Sequence, residues 1–172
     1  MIDASEYKNA LASFPSGVVI ATARGPDGKH QGFTASAFSS VSLSPPLVLI
    51  CLARSATCFD TFDSTEWFAI SVLTPGHEEL ALRFASRGAD KFSPAQAFEE
   101  AAHGLKTISG ALATMICRKH ANYLCGDHTI LVGEVEQVKL REGEEAMLHY
   151  RRKFHRIGDY ARQGGRDLQA AS

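Results

Sequence analysis

Residues 18–36 have the sequence VVIATARGPDGKHQGFTAS, and this stretch decides the fold class because it predicts two strands joined by a tight turn. Val18 to Ala23 is rich in β-branched residues, which favour strands over helices. Gly25-Pro26-Asp27-Gly28 supplies the residues that tight turns require, and a second strand is predicted over His30 to Ala35. The sheet is therefore predicted to begin with an antiparallel hairpin.

The rest of the chain predicts more strands than helices. Leu47 to Ala53 is apolar on both faces and is predicted to be a central strand. Further strands are predicted over Trp67 to Leu73, Ala111 to His120, and Thr129 to Leu140 with a break at Gly133. Asp3 and Glu6 match an N-capping pattern, and the helical spacing that follows them over Tyr7 to Phe14 predicts a first helix. Two more helices are predicted, one over Thr57 to Phe62 and one after Pro75-Gly76. The segment Gly88 to His103 is predicted to be a loop with helical turns. Strands mostly joined by turns argue against a doubly wound sheet and favour an antiparallel β-barrel with helices packed outside.

The composition is that of one globular domain with nearly balanced charge. Of the 172 residues, 45% are hydrophobic, and the 18 Lys and Arg nearly balance the 19 Asp and Glu, which argues against binding to nucleic acid or to a membrane. One domain is predicted over residues 1–160, followed by a disordered polar tail over residues 161–172. No signal peptide or membrane-spanning apolar run is evident, so a cytoplasmic protein with four free cysteines is expected.

Three small residues, Thr34-Ala35-Ser36, lie at the end of the second predicted strand, and hydroxyls recur at Ser39 and Ser40. A flat ring approaches the backbone closely only where side chains are small, and its polar edge then needs N–H donors. One interpretation is therefore a ring-binding loop. The other is an ordinary polar loop between strands, which the composition alone favours.

The segment Arg54-Ser55-Ala56-Thr57 directly follows the predicted central strand and opens a predicted helix. A guanidinium, two hydroxyls and a helix N-terminus together are suited to holding a phosphate. Ser55 is equally consistent with a helix N-cap. The chain has neither a Walker loop nor a Gly-x-Gly-x-x-Gly sequence, so both common nucleotide fingerprints are absent.

Two other groups of residues carry possible chemistry. Cys117, His120, Cys125 and His128 have ligand types that zinc accepts. However, Cys117 alternates with apolar residues in a predicted strand, so core thiols are favoured and no metal site is predicted.

The run from Tyr150 to Arg156 is basic and aromatic, which predicts either a solvated strand edge or a clamp for a dinucleotide.

Seven short motifs extend over about residues 5–157. They are Phe14-Pro15-Ser16-Gly17-Val18, residues 32–38, residues 41–48, Leu82-Arg83-Phe84-Ala85, Asp90-Lys91-Phe92, Gly126-Asp127-His128 with Gly133-Glu134-Val135, and Tyr150-Arg151. Together they resemble the flavin reductase-like family, which includes the small reductase components of two-component flavin-dependent monooxygenases. The resemblance implies a mainly β fold with flanking helices, the FMN-binding split barrel: a split antiparallel β-barrel of Greek-key type that forms a homodimer. It also implies an NAD(P)H:flavin oxidoreductase, which transfers hydride from NADH or NADPH to FMN or FAD and supplies reduced flavin to a partner monooxygenase.

The resemblance also implies roles for particular side chains. Those implied to lie along the flavin ring are Thr34, Ala35 and Ser36, with Ser39 and Ser40 nearby. Those implied to bind the flavin phosphate are Ser55 and Thr57, helped by Arg54 or Lys91. His128 is implied to be catalytic by orienting the nicotinamide, and Tyr150 and Arg151 are implied to bind the dinucleotide.

The chain departs from the family pattern at three places. Many relatives have Ser-Ser where this chain has Ser36-Ala37, Asp where it has Ser44, and Gly where it has Arg152. Arg152 adds charge at the predicted dinucleotide site. Two other functions stay open at this point: reduction of a cob(II)yrinate-type corrin, and a non-catalytic flavin- or haem-binding module.

Overall fold

The computed structural model describes residues 2–158. The helices in that range are α1 (Ala4–Ala12), α2 (Phe59–Ser64) and α3 (Glu78–Ala85). The first six strands are β1 (Ser16–Gly17), β2 (Val19–Arg24), β3 (His30–Ala35), β4 (Phe38–Leu43), β5 (Pro46–Ala53) and β6 (Trp67–Val72). The others are β7 (Phe98–Glu100), β8 (Lys106–Ile108), β9 (Ala113–Cys125), β10 (His128–Leu140), β11 (Met147–Tyr150) and β12 (Lys153–Arg156). The predicted tail, residues 161–172, lies outside the described residues.

Seven strands form one antiparallel sheet in the order β3-β2-β6-β9-β10-β5-β4. Its two edge strands, β3 and β4, are consecutive in the chain and are joined only by Ser36 and Ala37. A flat sheet of this size is about 29 Å across, whereas the three peptide steps from Ala35 to Phe38 span about 11 Å at most. The sheet therefore curls until its edges approach each other without pairing, so the predicted split antiparallel barrel is confirmed.

The hairpin predicted from residues 18–36 is confirmed. Strands β2 and β3 pair in register from Val19 opposite Ala35 to Arg24 opposite His30. Strand β2 is buried on both faces, because Val19 belongs to the core inside the barrel and Ile20 to a second core outside it. The strand predicted near Leu47 to Ala53 is also present as β5, which pairs with β10 on one side and β4 on the other and is therefore an interior strand, one place from the edge of the sheet. Only alternate residues of β5 are fully buried, so one of its faces is less buried than predicted.

Helix α3 packs against β3 through the second core. Leu80, Ala81 and Phe84 are buried there, and burying a phenylalanine side chain contributes about 1.5–3 kcal/mol. Gly32 permits the close approach, because a Cβ on it would lie 2.6 Å from Cε1 of Phe84 and 2.7 Å from the Ala21 carbonyl oxygen. The Thr34 hydroxyl donates a hydrogen bond of 2.6 Å to the Ala81 carbonyl, so α3 is fixed over the end of β3.

A small sheet formed by β1, β11 and β12 lies beside the barrel. Arg151 and Arg152 form the turn between β11 and β12, and their φ angles are 48° and 64°. A two-residue turn with positive φ at both positions normally contains Asn and Gly. Other residues pay about 1–2 kcal/mol each for the left-handed conformation. The run from Tyr150 to Arg156 thus contains a strained hairpin turn, followed by β12 at the edge of the small sheet, where a strand edge was one of the two predictions.

No helix within residues 2–158 is long and apolar enough to cross a membrane.

Candidate functional site

A cleft of about 290 Å³ lies between β3, β5 and α3. Five of the side chains predicted from the sequence line it together: Thr34, Ser55, Thr57, Lys91 and His128. Small and apolar residues, including Cys51, Ala53, Ala56 and Ala85, form the rest of its surface. The cleft thus combines hydroxyl groups and a cation with surfaces that have little side-chain bulk.

Ser55 and Thr57 lie in the turn between β5 and α2. The Arg54 amide donates to the Asp127 carbonyl at 2.9 Å at the start of the turn, and the Phe59 amide donates to the Ala56 carbonyl at 3.0 Å at its end. Helix α2 begins only at Phe59 and its N-cap is Cys58. Ser55 is therefore not an N-cap, and the helix N-terminus predicted as part of a phosphate site is also absent at this segment, because the two hydroxyls lie in a turn before the helix.

Arg87 also lines this cleft, and the sequence did not point to it. Its Nη2 donates to the Ser55 carbonyl at 3.4 Å, which brings the guanidinium beside the hydroxyl-bearing turn. Arg87 follows α3 and is 32 residues away from Ser55 in the chain. No local motif marks such a residue, because only the packing of α3 on β3 brings the two together.

Lys91 reaches the cleft from the segment after α3. Its Nζ donates to the Gly32 carbonyl at 3.0 Å and to the Phe84 carbonyl at 2.9 Å. An ammonium group has three N–H donors, so one is left for a ligand. Burial lowers the pKa of Lys91 from its ordinary value. Lys91 therefore ties this segment to β3 and also brings positive charge to the cleft.

His128 begins β10, where it lies opposite Ala53 of β5 and so reaches the cleft. Its Nδ1 lies 2.7 Å from Oδ1 of Asp127, and this pair fixes the orientation of the ring. The hydrogen bond from His128 lowers the pKa of the Asp127 carboxyl, which therefore stays ionised. Since Nδ1 is held by Asp127, Nε2 is the nitrogen that is available to a ligand.

A second cleft, of about 560 Å³, shares Thr34 and Ala85 with the first, so the two adjoin at the end of β3. Ser36 faces this larger cleft together with Glu78. The remaining wall comes from the β11–β12 hairpin, through His149, Arg152, Lys153 and Phe154.

The other predicted residues lie outside the lining of these two clefts. Ala35 is buried in the barrel core, so only its backbone is available, and Ser39 and Ser40 are exposed on the edge strand β4. Arg54 is exposed on its turn. The Arg151 guanidinium lies 5.3 Å from the centre of the Tyr150 ring, and Arg151 borders a small depression beside α1.

The four residues with zinc-like spacing do not form a cluster. Cys117 is fully buried in the barrel core, and burial raises its pKa to about 12. In the part of the chain that the structure describes, no group of three or more His, Cys, Asp or Glu side chains is placed to hold a metal ion.

The sequence profile of the family described as the flavin reductase like domain matches residues 11–158. The chain belongs to this flavin reductase family. One relative is the actinorhodin polyketide dimerase of Streptomyces coelicolor, 44% identical over 88% of this chain and 85% of that protein. Another is the reductase component of 4-hydroxyphenylacetate 3-monooxygenase from Thermus thermophilus, 37% identical over 88% of this chain and 95% of that protein. A similar solved structure is the Streptomyces globisporus NADH:FAD oxidoreductase SgcE6 in complex with NAD and FAD fragments. It has a TM-score of 0.84, is 36% identical, and the match covers 90% of this chain and 93% of that one.

The residues of the smaller cleft fit the flavin that the name of the flavin reductase family implies. A flavin nucleotide has a flat ring system and an anionic phosphate. The hydroxyls of Ser55 and Thr57 and the cations of Arg87 and Lys91 are the donors that a phosphate requires. Near the end of β3, Ala85 and the half-buried Thr34 leave the surface open to a flat ring. The donor set and the shape of the surface therefore match the two parts of the cofactor.

Proposed function

We propose that the protein is an NAD(P)H-dependent flavin reductase, which reduces FMN or FAD with NADH or NADPH and supplies the reduced flavin to a partner flavin-dependent monooxygenase. The observation that carries the proposal is the pair of adjoining clefts that share Thr34 and Ala85 in a chain of this family. Ligands that bind in these two clefts lie side by side, which suits hydride transfer from one to the other. Bound flavin supplies the hydride acceptor, and the protein supplies position and electrostatics.

The smaller cleft is proposed to hold the flavin with its phosphate at the β5–α2 turn. Ser55 and Thr57 offer hydroxyl donors there, and Arg87 and Lys91 offer positive charge. Hydrogen bonds that involve a charged group contribute about 1.5–3 kcal/mol each before solvent exposure is considered. The Thr34 hydroxyl already donates to the Ala81 carbonyl, so it offers the flavin an acceptor rather than a donor.

His128 is proposed to orient the nicotinamide. Asp127 holds Nδ1, so Nε2 is presented to the cleft in a fixed direction. A histidine held in this way binds a carboxamide with little further loss of ring freedom. Replacing His128 by Ala is expected to raise KM for NADH and to lower kcat.

The larger cleft is proposed to hold the adenosine and phosphate part of the dinucleotide, while its nicotinamide extends past Thr34 and Ala85 to the flavin and His128 in the smaller cleft. Phe154 and His149 offer ring surfaces there, and Arg152 and Lys153 offer positive charge. Tyr150 and Arg151 remain proposed dinucleotide contacts from the sequence pattern alone.

We also propose that two copies form a homodimer. Apolar side chains are exposed on β4 and at the end of the β9–β10 hairpin, where Leu43 is 92% and Leu124 is 71% exposed. Exposed apolar surface of this kind is typical of protein interfaces. Sedimentation equilibrium is expected to give a dimer that Leu43→Lys weakens, and a monomer at micromolar concentration contradicts the proposal.

Residues 1–160 are proposed to be one flavin reductase domain, which the match of the family over residues 11–158 supports. A cytoplasmic location is proposed because the reductants are cytoplasmic cofactors and Cys51, Cys58, Cys117 and Cys125 are free thiols.

Steady-state oxidation of NADH and NADPH by the purified protein, with FMN, FAD or riboflavin, tests the function. Flavin-dependent oxidation well above the rate without enzyme is expected. If no flavin supports it, the proposal fails. If the purified protein then retains flavin or haem firmly but does not turn over, a non-catalytic binding module is favoured. If it accelerates the formation of a trapped cobalt(I) corrin, reduction of a cob(II)yrinate-type corrin is favoured.

A further inference from the structure

The turn between β11 and β12 is held in a conformation that its residues disfavour. Only three non-glycine residues within residues 2–158 have positive φ, and two of them, Arg151 and Arg152, form this turn. The turn is fixed to α1, because the Arg151 amide donates to the Ala12 carbonyl at 2.8 Å and Nη2 of Arg152 donates to Oδ1 of Asn9 at 2.8 Å. Strained positions of this kind cluster at functional sites.

The two arginines share one environment and differ in another. Both border the depression beside α1, where Asn9 also lies, but only Arg152 also lines the 560 Å³ cleft together with Lys153. The Arg151 guanidinium lies against the Tyr150 ring instead. The bond to Asn9 uses one of the five N–H groups of the guanidinium and sets its direction. The others are available to an anion at the mouth of the cleft. Glu78 adds a carboxylate to the same cleft, which is suited to ribose hydroxyls.

We propose that Arg152, oriented by Asn9, binds a phosphate group of the nicotinamide dinucleotide in the larger cleft, with Lys153 adding positive charge. This inference rests on the proposed function and names the residue that recognises the anionic part of the reductant. The fork of N–H donors on a guanidinium matches a phosphate better than it matches the uncharged nicotinamide or ribose. The anion is either the pyrophosphate of both dinucleotides or the 2′-phosphate of NADPH.

Calorimetric titration of the FMN-loaded protein with NAD⁺ and NADP⁺ tests the inference without turnover. Arg152→Gly is expected to weaken binding about tenfold, which corresponds to about 1.4 kcal/mol. A loss for both ligands assigns Arg152 to the pyrophosphate, and a loss for NADP⁺ alone assigns it to the 2′-phosphate. Equal affinities of wild type and variant, or no dinucleotide binding by the wild type, overturn the inference.

The substitution has a built-in control for folding. Glycine adopts φ near 64° without strain, so Arg152→Gly is expected to raise Tm while it weakens binding, which a merely structural role does not predict. Arg152→Lys keeps the charge but loses the planar fork of N–H donors, so its affinity is expected to lie between those of the wild type and Arg152→Gly. Lys29→Gln removes an exposed charge from the β2–β3 turn and is expected to leave binding unchanged.

Arg151→Gly decides between the two arginines. A loss of affinity in this variant and not in Arg152→Gly overturns the assignment to Arg152. The proposed function fails separately, through the absence of NADH oxidation by the wild type. A reductase that turns over normally while Arg152→Gly retains full dinucleotide affinity contradicts only this inference.

Discussion

Replacing Gly32 by Ala tests how α3 is placed over the proposed flavin cleft. The new Cβ meets Cε1 of Phe84 at 2.6 Å and the Ala21 carbonyl oxygen at 2.7 Å. Phe84 is 1% exposed and its ring packs against those of Phe92 and Phe98, so it does not move aside freely, and the carbonyl belongs to the backbone of β2. Overpacking a core costs about 1–3 kcal/mol, and we expect about 3 kcal/mol because one of the obstacles is backbone.

Urea unfolding at equilibrium measures this loss, with Gly17→Ala as the matched control. A Cβ on Gly17 meets nothing within 4 Å, so its substitution is expected to change the free energy of unfolding by less than about 0.5 kcal/mol. Gly32→Ala is also expected to weaken FMN binding, because α3 carries Ala85 into the cleft and leads to Arg87. Equal stability of the two variants refutes the described packing of α3 on β3.

Three further predictions concern titratable side chains. Because burial lowers the pKa of Lys91 below 10.5, the preference for FMN over riboflavin is expected to fall as the pH rises toward that value. Binding titrations with FMN and with riboflavin over this pH range check this. The arginine side chain stays charged, so an equal fall of the FMN preference in Lys91→Arg contradicts the role of Lys91. Burial also lowers the pKa of His30 in the folded state, so stability is expected to be lost as the pH falls below 6.5. Urea midpoints for His30→Phe are expected to show a flatter pH profile, and an unchanged profile contradicts the assignment. A thiol reagent is expected to modify the exposed Cys125 first and the buried Cys117 only on unfolding, and peptide mapping that finds Cys117 labelled in the folded protein refutes this.

Local signals in the sequence predicted the parts of the fold that depend on neighbouring residues. The β2–β3 hairpin follows from a β-branched run in front of a glycine-rich turn, and Asp3 caps α1 by accepting hydrogen bonds from the amides of Ser5 and Glu6. The break predicted at Gly133 is an irregularity in the pairing of β9 and β10. A Cβ on Gly133 would meet the Phe68 ring, so the residue has a packing reason as well.

Strand β4 was missed because its sequence gives no periodic signal. It is an edge strand with serines at positions 39, 40 and 42, and the polar loop expected there proved to be only Ser36 and Ala37. Strands β7 and β8 have three residues each, which is too short for a repeating pattern. Their existence depends on tertiary pairing, which single residues do not encode.

The candidate site likewise contains residues that the sequence marked and residues that only tertiary packing brings together. Ser55, Thr57 and Lys91 were marked by motifs and line one cleft, but Arg87 reaches that cleft only because α3 is fixed over β3. Arg152 was noticed as a departure from the family pattern. Its position in the larger cleft depends on a turn geometry that sequence periodicity does not reveal.

The ratio of kcat/KM for FMN to that for riboflavin, measured by NADH oxidation, tests most directly whether the protein is a flavin reductase that binds the flavin phosphate at the β5–α2 turn. Riboflavin lacks the phosphate that Ser55 and Arg87 are proposed to hold. The wild type is expected to prefer FMN about tenfold or more, and the double variant Ser55→Ala/Arg87→Met is expected to lower the ratio about threefold or more, because Thr57 and Lys91 remain. No oxidation with either flavin, or a preference for FMN that the double substitution leaves unchanged, contradicts this function or this site.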